Sequence, residues 1–250
     1  TLEIRKNMQY KFKTEPYEHQ LEALKRSWNK KEYAYFMEMG TGKSKVLIDN
    51  ISVLYDKGGI NAAVIVAPKG VYRNWSEKEI PMHMPEHVLK QIAVWNPAPT
   101  KAQKKALTDL FIPSDDLKIL IVNVEAFSTK KGVTFVEKFI MSHNCLIAVD
   151  ESTTIKNPKA QRTKNLLKLA VNTKYRRILT GFPVTQSPLD LYSQSAFLSD
   201  QLLGYTSFYS FQNRYAQLIN RNMGARTFRQ VIGYQNLEEL TTKVNGFSYR

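Results

Sequence analysis

An α/β fold with a mainly parallel sheet and helices on both faces is what this 250-residue sequence predicts. Two observations carry that expectation. Short apolar, β-branched runs alternate with stretches of helical periodicity, the order that builds strand–helix–strand crossovers. A closely spaced glycine pair, Gly40 and Gly42, also lies between one such run and one such helix, where open α/β sheets place their ligand-binding loops. With 43% hydrophobic residues the chain has enough apolar surface for a sizeable core, and disorder is not indicated.

Taken in order, a helical pattern over residues 17–28 precedes the first apolar run, 33–37, and a second helical pattern covers 43–55. The run 62–67 is followed by helical spacing at 71–80, the run 91–95 by 101–110, and the run 117–124 by 133–141. The run 145–149 ends on Asp150-Glu151 and leads to a helical pattern at 160–171; the run 177–180 leads to another at 189–198. After Asp200 the alternation fades into polar, aromatic and glycine-containing sequence, with a short helical pattern at 236–244. Residues 1–200 therefore read as one lobe and 201–250 as a mostly helical appendage. No internal repeat or low-complexity segment stands out.

The loop Glu38-Met39-Gly40-Thr41-Gly42-Lys43-Ser44 carries the chemistry. Glycines let backbone N–H groups turn inward around phosphate oxygens, Lys43 can reach the outer phosphates, and Ser44 can ligate magnesium at a helix start. The strict G-x-x-x-x-G-K-[ST] pattern wants a glycine where Met37 stands; what remains is G-x-G-K-S after a β-like run. Far downstream, Asp150 offers a carboxylate to the same metal and Glu151 a base for water. Because that pair ends an apolar run, its carboxylates are expected at the carboxyl end of a buried strand. Loop and pair together imply a nucleoside triphosphate.

Lys and Arg number 36 against 22 acids, a formal net charge of +14 that favours a polyanionic partner. From Ser152 to Leu189 the chain carries Lys156, Lys159, Arg162, Lys164, Lys168, Lys174, Arg176 and Arg177 with no acid. A second acid-free stretch, Gln201 to Leu237, interleaves Arg214, Arg221, Arg226 and Arg229 with aromatics, a mixture that suits a phosphate backbone. Phe208, Phe211 and Tyr215 sit at helical spacing and are expected in the core. Cys145 is the only cysteine, which excludes an intrachain disulfide and a cysteine zinc cluster. His83 and His87 are interrupted by Pro85, and none of the histidines is read as a metal ligand. No apolar run approaches a membrane span and the start, Thr1 to Lys6, is not a signal peptide, so a cytoplasmic chain is expected.

At this point the sequence resembles the RecA-like first lobe of helicase superfamily two, and within it the Swi/Snf-type DNA-translocating ATPases. Pro16-Tyr17-Glu18-His19-Gln20 is similar to the segment whose glutamine recognises adenine, and Glu38 to Ser44 to motif I, which reads E-M-G-x-G-K-[ST] in that group. Val64 to Lys69 with Asn74-Trp75 resembles motif Ia, and Val122-Asn123-Val124-Glu125 stands where the next backbone-contacting segment falls. Asp150-Glu151 with Ile155-Lys156-Asn157 resembles motif II, and Arg177 to Val184 resembles motif III, normally L-T-G-T-P. After Asp-Glu the family usually carries alanine and then histidine or glutamine, where this chain has Ser152-Thr153; Phe182 replaces the threonine of motif III.

The resemblance implies ATP and Mg²⁺ as cofactors, with Gln20, Met39, Gly40, Thr41, Gly42, Lys43 and Ser44 around the nucleotide, and Ser44 and Asp150 on the metal. Lys43, Asp150 and Glu151 are the implied catalytic residues. Thr180 and Gly181 would report the γ-phosphate state, and Lys69, Asn74, Trp75 and Lys156 would touch nucleic acid. It further implies sequence-nonspecific duplex DNA as partner and a second RecA-like lobe whose motifs this chain lacks; the tail resembles the helical insertion leading toward that lobe. Three alternatives stay open: an RNA or single-stranded DNA helicase of the same superfamily, a nucleotide-switched non-catalytic nucleic-acid clamp, and, least supported, a metabolite kinase.

Overall fold

The computed structural model describes residues 10–223 and 226–250, so the reading of Thr1 to Lys6 as no signal peptide lies outside the described residues. Strands β1 (Glu32–Tyr35), β2 (Ala62–Ala67), β3 (Lys90–Val94), β4 (Leu117–Asn123), β5 (Cys145–Asp150) and β6 (Tyr175–Leu179) form a parallel sheet. A short last strand, β9 (Ser248–Tyr249), extends its edge beside β1, in the order β3-β4-β2-β5-β6-β1-β9. Strands β2 and β4 are buried along their whole length, as strands covered on both faces must be.

Helices close both faces. On one lie α1 (Glu18–Ser27), α2 (Lys43–Asp56) and α3, in which Tyr72–Asn74 and Ile80–His83 are joined by a π turn, Trp75–Glu79. Pro81 has no N–H to give the i−4 carbonyl, and the wide turn falls immediately before the short segment that holds it. Ala63, Ile65 and Ala67 of β2 point to this face. Ala62, Val64 and Val66 point to the other, covered by α4 (Lys101–Asp109), α5 (Lys130–Ser142), α6 (Gln161–Ala170) and α7 (Leu191–Leu198). Thr100 and Thr129 start α4 and α5 by accepting the N–H groups of Gln103 and Gly132, three residues on. Among the described residues no helix is long and apolar enough to cross a membrane.

The tail departs from the expected, mostly helical appendage. It holds α8 (Phe208–Tyr215) and α9 (Leu237–Asn245), but between them an antiparallel pair, β7 (Ala216–Met223) and β8 (Arg226–Tyr234). The pair was illegible because much of it is exposed on both faces, so no alternation of apolar and polar residues announces it. Nor does the lobe end at residue 200. Phe211, Tyr215, Leu240 and Val244 enter the same core as β2 and β5, and β9 closes the sheet edge. The core positions expected for Phe211 and Tyr215 are observed, with 0% exposure; Phe208 is only half-buried.

Arg177, in the middle of β6, is completely buried and spends all five of its N–H donors. It gives them to Asn50 Oδ1 at 2.9 Å on α2, to the carbonyls of Ser27 (2.9 Å) and Lys30 (2.8 Å) at the end of α1, and to those of Lys31 (3.1 Å) and Arg176 (2.8 Å). Burial pulls its pKa down from the usual guanidinium value, while the phenol of Tyr35 opposes that shift. Arg177→Met is expected to lower the unfolding free energy by at least about 3 kcal/mol, because buried carbonyls lose their donor. Arg177→Lys should recover little, since an ammonium lacks the planar fork. Urea denaturation of the three proteins checks this, and a loss for Arg177→Met below about 1 kcal/mol would mean that the carbonyls have other partners.

Candidate nucleotide site and its neighbours

Sheet order makes the site. Strand β6 lies between β1 and β5, so three carboxyl ends stand side by side: β1 leading to Glu38–Ser44, β6 to Thr180-Gly181, and β5 to Asp150-Glu151. Gly40 and Gly42 adopt left-handed backbones, φ +78° and +86°, which turns the loop around its own N–H groups before α2 begins. Gly42 has a second reason to be glycine: a Cβ there would stand 2.2 Å from Gln20 Nε2. That amide nitrogen donates to Thr41 O at 2.9 Å, and its own oxygen accepts the Tyr17 N–H at 3.1 Å. His19 Nε2 also meets Thr41 O at 2.9 Å, a loop-bracing role that was not read from the sequence. Lys43 Nζ spans the loop and donates to the carbonyls of Met37 (3.0 Å) and Glu38 (3.1 Å).

Asp150 is held from two sides. Its Oδ2 accepts the indole N–H of Trp75 at 3.1 Å and its Oδ1 the Glu151 N–H at 3.0 Å. Burial nonetheless pushes the carboxyl up to about 6, the Glu151 charge adds to that, and Lys43 is among the groups opposing it. A carboxylate so raised is short of positive charge, and a cation beside it would restore the balance. Ser44 and Asp150 thus fit magnesium by donor chemistry. Among the described residues no cluster of three or more His, Cys, Asp or Glu could hold a metal, so the remaining ligands would be phosphate and water, the habit of this ion.

Among the described residues Glu151 is one of two non-glycine residues with positive φ, at φ 48°, ψ 62°. Such a backbone costs an L-residue about 1–2 kcal/mol, and it aims the side chain toward β6, where Glu151 Oε2 accepts the Thr180 hydroxyl at 3.2 Å. Thr180 Oγ1 in turn accepts the Phe182 N–H at 3.2 Å, and a Cβ on Gly181 would make an ordinary contact, 3.4 Å, with Met39 N on the loop. Thr180 and Gly181, the residues expected to couple, thus lie beside Glu151 and the Glu38–Ser44 loop.

The unusual Ser152 is also engaged. Fully buried, it donates to Gln194 Oε1 on α7 at 2.6 Å, and Gln194 Nε2 donates to Pro183 O at 2.7 Å, just past Thr180-Gly181. Neither partner is near the other in sequence, so no local signal could have joined them. Beside this link, Asp190 accepts the N–H and hydroxyl of Thr185 (3.0 and 2.8 Å) and the Gln186 N–H (2.9 Å), with the Lys156 ammonium 3.4 Å away. Those hydrogen bonds hold the Asp190 carboxyl below its usual value despite partial burial.

The expected nucleic-acid contacts divide. Lys69 and Asn74 are exposed, and Lys156 is half-buried with its ammonium on Thr185 at 2.6 Å. Trp75 does not fit that expectation: it is 2% exposed and faces Asp150. It is the first residue of the π turn, and its expected role rests on its place beside the segment resembling motif Ia, which carries no sign of burial. An apolar cavity walled by Trp95, Leu107 and Phe135 lies between α4 and α5, away from these residues.

A family model described as the SNF2-related domain matches residues 19–245. The chain is 27% identical over 169 residues to a probable ATP-dependent DNA helicase, CHR12, of Arabidopsis thaliana, covering 64% of this chain and 14% of that protein. It is 28% identical over 203 residues to the DNA annealing helicase and endonuclease ZRANB3 of Bos taurus, covering 81% and 17%. Among solved structures, the Sulfolobus solfataricus SWI2/SNF2 ATPase core in complex with dsDNA superposes with a TM-score of 0.71 at 24% identity, over 96% of this chain and 45% of that one. The UvsW helicase from bacteriophage T4 gives 0.54 at 11%, over 74% and 58%.

A double-mutant cycle tests the buried link. Ser152→Ala and Gln194→Leu each strand a buried polar partner, whereas the pair together removes the hydroxyl and amide at once, so a coupling of about 1–3 kcal/mol is expected in unfolding free energy. Additive losses would show that the 2.6 Å bond carries no coupling.

Proposed function

Because the chain belongs to the SNF2-related domain family, we propose that it is the ATP-binding lobe of an ATP-driven motor that moves along or remodels duplex DNA. The observation that carries this reading is the meeting of Lys43, Asp150, Glu151 and Thr180 at the carboxyl ends of three adjacent strands. In it, Gly40, Gly42 and the neighbouring backbone N–H groups, with Met39 and Thr41 in the same loop, cradle the phosphates. Gln20, anchored on Thr41, stands to select the base. Lys43 exchanges its two carbonyl partners for phosphate oxygens, and Ser44 and Asp150 hold the metal. Magnesium supplies charge neutralisation on the outer phosphates. Glu151 orients and deprotonates the attacking water, and its bond to Thr180 passes the phosphate state to the Thr180–Thr185 loop and so to Lys156.

The chain spans 14–17% of the first two relatives described above and 45% of the Sulfolobus core. A complete motor therefore draws on parts beyond these residues. In phosphoryl-transfer enzymes an arginine from a facing element is worth about 10³ to 10⁵ in turnover, and we place its source on a second RecA-like lobe. Duplex DNA as partner is supported by the net charge of +14 and by the dsDNA held by the Sulfolobus neighbour. A cytoplasmic, reducing setting suits a lone cysteine, Cys145, that is buried in β5.

Steady-state ATP hydrolysis by the full-length protein, measured without nucleic acid and with single-stranded DNA, duplex DNA or RNA, tests the reading. Duplex DNA is expected to stimulate most, Lys43→Ala to lose nucleotide binding, and Glu151→Gln to bind without turnover. The 250-residue chain alone should bind ATP and hydrolyse it feebly. Preference for single strands or RNA would move the protein to a helicase of the same superfamily, and no hydrolysis under any condition would leave a nucleotide-switched clamp.

A further inference from the structure

The antiparallel pair β7–β8 does nothing for the nucleotide site. Its outer part buries little against the lobe: Asn220, Arg221, Asn222, Phe228, Arg229 and Gln230 are all exposed. A lone two-stranded ribbon is marginal in water, and one that exposes both faces needs another reason to exist. Its composition narrows the reason, since residues 216–234 contain Arg221, Arg226 and Arg229 and no acid.

Register sorts the side chains. Asn220 opposes Arg229 and Asn222 opposes Thr227, so those four share one face of the ribbon's outer part, with the apolar pair Leu218 and Val231 nearer the root on the same side. Arg221 and Phe228 oppose each other on the other face, with Arg221 Nε donating to Gln230 Oε1 at 3.0 Å. An acidic protein surface would be met by the cations alone. A face of amides, hydroxyl and guanidinium matches instead the donors and acceptors on the floor of a nucleic-acid groove, and the major groove of B-form DNA admits a two-stranded ribbon.

The root is held rigidly. Gln235 N donates to Tyr215 O at 3.0 Å, Asn236 Nδ2 to Arg214 O at 2.9 Å, and Tyr215 OH to Glu239 Oε1 at 2.7 Å, while Arg214 pairs with Glu239. Helix α8, from which β7 continues, packs on α7 and on the Pro188–Asp190 turn, whose Asp190 fixes Thr185 and sits beside Lys156. A ligand on the ribbon would thus be tied to the loop that follows Thr180.

We propose that β7–β8 is a duplex-DNA-binding ribbon that lays its Asn220–Asn222–Thr227–Arg229 face into the major groove. This rests on the duplex-DNA reading above. The ribbon adds a handle on the duplex separate from Lys69, Asn74 and Lys156.

Fluorescent duplex DNA, titrated with the full-length protein without nucleotide at 50 to about 200 mM salt, tests it. Arg229→Ala is compared with a variant in which residues 217–233 are replaced by a two-glycine turn, which the facing positions of Ala216 and Tyr234 allow. Each is expected to bind duplex about tenfold or more weakly, with the slope of log affinity against log salt shallower by about 1–2, one unit per lost phosphate contact. Asn220→Ala/Asn222→Ala should weaken duplex binding with little change in slope. Basal hydrolysis and the melting curve should not move. Unchanged duplex affinity in both ribbon variants would overturn the proposal, as would an equal loss on single-stranded DNA, which has no groove. Failure of the parent protein to bind duplex would end the DNA reading as well; absence of stimulated hydrolysis with duplex binding intact would end only the motor reading.

Discussion

The five hydrogen bonds of Arg177 fix the relation between α1, α2 and the sheet, and the nucleotide end of the lobe depends on that relation. Ser27 and Lys30 close α1, whose first turn carries His19 and Gln20 against Thr41. Asn50 lies on α2, whose first turn carries Lys43 and Ser44. A guanidinium between strand, helix end and helix middle therefore sets where the groups proposed to select the base and to bind phosphate stand relative to each other. It is a charge in a dry place, tolerated because every donor finds an oxygen.

At the other end of the same strands, the site stores strain and charge that folding alone would avoid. Glu151 keeps a left-handed backbone, and Asp150 keeps a carboxyl pushed up to about 6 by burial. Both features make sense for a site completed by ligand: a cation would relieve Asp150, and a fixed Glu151 would have no reorganisation left to make when water attacks the phosphate. The Ser152–Gln194–Pro183 chain then ties the stretch after Glu151 to the stretch after Gly181 through buried hydrogen bonds. In this molecule the link at the unusual Ser152 is a polar one.

The tail shows how an appended segment becomes part of a lobe. Aromatic residues of α8 and apolar residues of α9 share the main core, and β9 protects the edge of β1 from further pairing. The ribbon between them is left outside, fixed at its root and by Arg229, which donates to Asn213 on α8 at 3.0 Å. Rigid attachment and exposed length are the two properties that a lever against a large polyanion requires.

The sequence by itself determined the groups whose meaning is local. Gly40, Gly42, Lys43 and Ser44 act within one turn, Asp150-Glu151 declares itself as the end of an apolar run, and the alternation of runs and helices implies a parallel sheet. Strand order was not legible, because periodicity reports that a face is buried and not what buries it; only packing placed β6 between β1 and β5 and so brought Thr180 to Glu151. The same gap hid the partners that meet across distance, Trp75 with Asp150, Ser152 with Gln194, and Arg177 with the end of α1. The ribbon was hidden for the opposite reason. A strand exposed on both faces has no hydrophobic pattern to show, and the hydrogen bonds that make it a strand are carried by backbone that every sequence shares.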